Sequence, residues 1–116
     1  MKTTELIIQG QQLESLVTTL IQFQTQQYMV KVNVVQANNV AVITSEKVYF
    51  RVNAFFMQTI VLDLSHSSEG RIHIVTGGGP AIGLGSTSHM HKSVIGFLQD
   101  ICHKSSWTLK ESKSSS

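Results

Sequence analysis

The sequence predicts an α+β domain: a curved antiparallel five-stranded sheet with two helices on one face, in the order β-α-β-β-β-β-α. Three observations lead there. Two segments repeat apolar residues at three-then-four spacing, as a helix with one buried stripe requires. Others alternate apolar with polar residues, as a half-covered strand does. The links between the four central strand segments are short, which makes those strands antiparallel neighbours and leaves both helices to cover a single face.

Residues 4–9 set Leu6 and Ile8 on one side of an extended segment that Gly10 interrupts. From Gln11 onward, Leu13, Leu16, Val17, Leu20, Ile21 and Gln24 form one helical stripe of about four turns. The period changes at Tyr28, where Tyr28, Val30, Val32 and Val34 alternate with Lys31 and Asn33. Asn38-Asn39 suits a tight hairpin, because asparagine tolerates the left-handed backbone such turns need. A return strand is expected from Val40 through Glu46, Lys47, Val48, Tyr49 and Phe50 to Val52. A turn near Asn53 and a further strand through Phe55 to Leu64 follow. Residues 65–70 read as a polar turn and 71–76 as the last strand, ended by Gly77-Gly78-Gly79-Pro80. Ser86, Thr87 or Ser88 is expected to cap a final helix with the stripe Met90, Val94, Phe97, Leu98 and Ile101. Residues 1–107 form the domain, and 108–116, rich in serine and lysine, are expected to fray. The order resembles one half of the TATA-box-binding protein, a fold shared by domains of unrelated function.

A chain of 116 residues can bury a core without cross-links, and the single cysteine, Cys102, permits no internal disulfide. A cytoplasmic location is therefore expected, with no signal peptide or membrane-spanning run in view. Nine basic and seven acidic residues are scattered along the chain, so nucleic acid is not an expected partner: phosphate binding needs cations converging on one face. Charged residues make up 14 %, against about 25 % in ordinary domains. Such a surface repels its own copies weakly.

The stretch Glu46-Lys47-Val48-Tyr49-Phe50-Arg51, an alternating strand, and then Gly77-Gly78-Gly79-Pro80-Ala81-Ile82-Gly83 before a terminal helix resemble a small bacterial domain family of unknown function. In that family an E-K-x-Y-x-R-like strand precedes a G-G-G-x-G loop. Here the final glycine comes later and the aromatic residues of the following segment are absent. The resemblance implies a fold and a bacterial origin, and no catalytic residue.

Residues 77–88 form the first candidate site. Gly77, Gly78 and Gly79 lead toward Ser86, Thr87 and Ser88 at an expected helix start, where free N–H groups and the helix dipole suit a small anionic ligand. The same glycines also fit a tight backbone crossing, and the lysine of a phosphate-binding P-loop is missing. Of five histidines, His73, His89 and His91 come nearest to a ligand set. His89 and His91 would diverge on a helix and no carboxylate or cysteine lies close in sequence, so no metal and no cofactor are expected. Cys102 reads as a buried small hydrophobe, and Asp63, Glu46 and Glu69 show no acid–base pairing. Lys47, Tyr49 and Arg51 share one strand face, either solvated or lining a polar groove.

The second candidate is a homodimer interface. In residues 54–62, Phe56, Ile60 and Leu62 form one apolar face and Phe55, Met57 and Val61 the other, so both faces want cover. A second copy can supply it, or a tail carrying Trp107 and Leu109 can fold over it. The expected function is a non-enzymatic ligand-binding or interaction domain that self-associates. The alternative is a small enzyme acting on a phosphorylated or carboxylated metabolite, which needs a convergent pair of titratable groups.

Overall fold

The computed structural model describes residues 1–28, 31–49, 54–66, 68–79 and 84–115. Its elements are β1 (Lys2–Gln9), α1 (Ser15–Tyr28), β2 (Lys31–Ala37), β3 (Val40–Tyr49), β4 (Ala54–His66), β5 (Glu69–Gly79), α2 (Leu84–Ser105) and β6 (Thr108–Ser115). The strands form one antiparallel sheet in the order β2-β3-β4-β5-β1-β6.

The α+β class and the antiparallel sheet agree with the sequence, but there are six strands among the described residues where five were expected. The sixth is the serine- and lysine-rich tail, which pairs with β1 from Thr3↔Ser115 to Gln9↔Thr108. Apart from Leu109 it carries no apolar alternation, and residues 110–113 are exposed, because an edge strand can be held by backbone bonds rather than by a buried face.

The glycine run is the second correction. The strand does not stop at Thr76: Gly77, Gly78 and Gly79 are its last three residues, opposite Met57, Phe56 and Phe55 of β4. The long β4 template carries the ladder through residues whose own strand preference is poor. Tyr28 is a third departure, ending α1 rather than opening a strand. The α2 helix begins at Leu84, so Ser86, Thr87 and Ser88 lie inside its first turns and not at the cap.

The Asn38-Asn39 hairpin forms as expected: Ala37 pairs with Val40, and Asn38 takes φ 53°. At the far end of the chain, Ser106 takes φ 61° and the Trp107 N–H donates to Cys102 O at 2.9 Å. This is a Schellman closure of α2, with serine at the position glycine usually fills.

Alternation along the strands sends Leu6, Ile8, Ile43, Ile60, Leu62, Ile72 and Ile74 to one face, where all are buried. The α1 helix lays Leu16, Val17 and Leu20 on the β2–β3 side of that face, and Leu13, just ahead of the helix, is buried with them. The α2 helix lays Met90, Val94, Leu98 and Cys102 on the β5–β1–β6 side. Phe23 and Phe97 stack between the helices with ring centroids 4.0 Å apart. Trp107 and Leu109 pack against this same core. The tail therefore closes the β1 edge, and no described element lies over the opposite sheet face. No helix among the described residues is long and apolar enough to cross a membrane.

Candidate functional site

The uncovered face follows from parity. Phe56, Ile60 and Leu62 point to the helices, so Met57, Thr59 and Val61 point away. Register places Val35 of β2, Val42 of β3 and Val61 of β4 side by side on this outer face, and Val75 opposite Thr59. Met57 is 37 % exposed and Val35 68 %. Phe55 shares their parity at the register position opposite Val48 and Gly79.

Several charges on the face have opposite-sign cross-strand neighbours, Lys31 with Glu46, Asp63 with Arg71 and Glu5 with Lys113, while Lys110 stands opposite Ile7. His73 Nδ1 also lies 3.8 Å from Glu5 Oε2, beside a shallow groove of about 390 Å³ bounded by Thr3, Val75 and Lys113. Asp63 accepts from the Ser65 hydroxyl and, at 3.0 Å, from the Ser65 N–H, and these two bonds hold its carboxyl below the ordinary carboxylate range.

The glycine-rich candidate is only partly in view. Gly77, Gly78 and Gly79 are strand residues, Ser86, Thr87 and Ser88 belong to α2, and residues 80–83 between them lie outside the described residues. Arg51 lies outside them too, so the row Lys47, Tyr49 and Arg51 is described only to Tyr49.

What the sequence did not reveal is a buried polar chain beneath the helices. Ser45 Oγ donates to Gln24 Oε1 at 2.8 Å, and Gln24 Nε2 donates to Gln58 Oε1 at 2.7 Å. Gln58 Nε2 donates to Thr76 Oγ1 at 2.8 Å and to Met90 O at 3.4 Å. Thr76 Oγ1 then meets His91 Nδ1 at 2.8 Å, and His91 Nε2 meets Thr4 Oγ1 at 2.7 Å. A neutral imidazole fits, one nitrogen donating and the other accepting. Burial lowers the His91 pKa, with repulsion from Lys2 adding to it and Glu111 opposing. The chain ties both helices to β1, β3, β4 and β5, and no buried side-chain nitrogen or oxygen among the described residues lacks a partner.

Signals for it were present. Gln24 sits in the apolar stripe of α1, and Gln58 and Thr76 share strand parity with Ile60 and Ile74. Polar residues at core positions are the mark of such a chain.

His89 is exposed while His91 is buried, so the two histidines diverge, and His73 lies on the other face of the sheet. Among the described residues no three His, Cys, Asp or Glu side chains converge. Cys102 is buried and unpaired, and burial pushes its thiol above the ordinary value, away from nucleophilic reactivity.

Opposite the glycine-rich end, the β1–α1, β2–β3 and β4–β5 connections border a cleft of about 310 Å³. Its floor is Leu13, Val17, Ala41 and Leu64, and its rim is polar. Comparison with protein-family models, curated proteins and solved structures returns no match to this chain.

Proposed function

We propose that the chain is a non-enzymatic, self-associating interaction domain whose uncovered sheet face packs on the same face of a second copy. The observation that carries this is the row Val35, Val42 and Val61 with Met57 and Val75, apolar on a face that neither helix nor tail covers. Six strands about 4.8 Å apart and about eight residues long offer on the order of 700 Å², close to the ~800 Å² per partner of a standard interface. The cross-strand charge pairs are compensated within each copy, which lowers the repulsion between two such faces.

The non-enzymatic reading is supported by His91. Both ring nitrogens are engaged by threonine hydroxyls inside the core, which leaves none to take a proton from a substrate. A single buried, unpaired cysteine suits a reducing compartment, and the cytoplasm is proposed as the location.

Light scattering on the full chain at micromolar concentration tests the interface. The expected mass is at least twice 12.8 kDa, falling by half in Val61→Asp and in Met57→Lys. The second variant alters an already exposed side chain, so the fold tolerates it. A wild-type monomer, or variants that keep the wild-type mass, would overturn the proposal.

A further inference from the structure

The two edges of the sheet are built differently. The β6 edge carries Lys110, Glu111 and Lys113 within eight residues, and its pairing with β1 is interrupted by a register shift between Glu5 and Leu6. Charges and bulges are the devices that keep an edge from accepting another strand. The β2 edge has neither in its seven residues, beyond Lys31 at one end. Its sequence is Lys-Val-Asn-Val-Val-Gln-Ala, without proline or glycine, and its register with β3 runs unbroken from Lys31↔Glu46 to Ala37↔Val40.

Exposure marks the same strand. Val34 is 38 % exposed on the helix-side face, where its partner is Ile43, and Val35 is 68 % exposed on the outer face. A terminal strand with apolar side chains open on both faces, and backbone groups unpaired on the side away from β3, is a template for strand addition.

We infer that β2 is such a site and that its occupant is β2 of a second copy, paired antiparallel about a two-fold axis normal to the sheet. Several features favour this chain as its own partner. That symmetry keeps residues of one face opposite residues of the same face, so Val34 and Val35 meet Val, Asn or Gln side chains of the other copy and no charge falls at the centre. The two Lys31 residues lie at opposite ends of the paired strands, roughly 20 Å apart at about 3.4 Å per residue. That distance is beyond the ~8 Å screening length at physiological salt. Both helix layers stay on one side, so the pairing leaves the outer face free and is independent of the interface proposed above.

Light scattering and hydrogen exchange on the full chain test it. In Met57→Lys, which blocks the face interface, the chain still dimerises, and amide protection in the peptide covering residues 31–37 rises with protein concentration. Adding Val35→Lys to that variant, which puts a charge on an already exposed position at the strand centre, weakens the remaining dimer at least tenfold and removes the concentration-dependent protection. A Met57→Lys monomer without concentration-dependent protection at 31–37 overturns the edge and leaves the face interface standing. A dimer insensitive to Met57→Lys but lost in Val35→Lys supports the edge and overturns the face. A Val35→Lys variant with unchanged mass and exchange overturns the edge, as does protection at 31–37 that appears only when another polypeptide is added.

Discussion

Trp107 lies against the bare backbone of Gly10: a Cβ on that glycine would stand 2.1 Å from Cδ1 of the indole. The ring is held there by its Nε1–H, which donates to Gln11 O at 2.8 Å, while Gly10 N–H donates to Ser68 O at 3.1 Å. The contact joins the end of β1 to the start of β6, so the last strand is anchored through a residue too small to have a side chain.

Gly10→Ala is expected to displace the indole and lower stability by about 1–3 kcal/mol, the usual effect of overpacking a fixed contact. Urea denaturation gives the change in midpoint, and hydrogen exchange should show β6 losing protection before β3 and β4. A variant as stable as the wild type would mean that Trp107 does not anchor the strand.

Helix α2 offers two changes in the opposite direction. A Cβ on Gly96 would meet nothing within 4 Å, so Gly96→Ala inside the helix is expected to stabilise by about 0.5–1 kcal/mol through backbone entropy alone. Ser106, at φ 61°, holds a conformation that costs a side chain about 1–2 kcal/mol, so Ser106→Gly should recover roughly 1 kcal/mol. The two sites lie about 15 Å apart along the helix axis, at about 1.5 Å per residue, so thermal unfolding of the double variant should show additive gains.

His91 sets a pH dependence. Its folded pKa lies below the ordinary 6.5, so the unfolded chain binds the proton more readily. Its contribution to stability is constant above about pH 6.5. Below that it falls, with a slope of at most about 1.4 kcal/mol per pH unit, until the lowered folded pKa is reached. His91→Gln removes the titrating group, and its stability between pH 6.5 and 5 should lose this share of the slope whatever its absolute value. An identical slope in wild type and variant would show that the buried imidazole does not titrate with unfolding.

Helix α1, the stripe of α2, the Asn38-Asn39 hairpin and the two-faced apolar character of β4 were all legible, because each is written in local periodicity or turn chemistry. Phe56, Ile60 and Leu62 take the helix side, and Met57 and Val61 the outer side, as alternation required. The misses have a common cause in partners distant along the chain. Gly77, Gly78 and Gly79 are strand because β4 continues opposite them, and residues 108–115 are strand because β1 offers a free edge. Neither segment carries a local pattern that says so.

The sequence by itself determined the class of the fold, the antiparallel sheet and the existence of two apolar faces, since side-chain period and short links leave few other ways to bury those residues. Only the tertiary structure decided which face stays open, that the tail becomes an edge strand instead of a cover, and that Ser45, Gln24, Gln58, Thr76, His91 and Thr4 join into one chain. The physical reason is that a backbone ladder or a buried polar bond gains its stability from a partner group brought close in space. That partner is 87 residues away in sequence for Thr4 and His91, and farther still for Thr3 and Ser115 in the β1–β6 ladder.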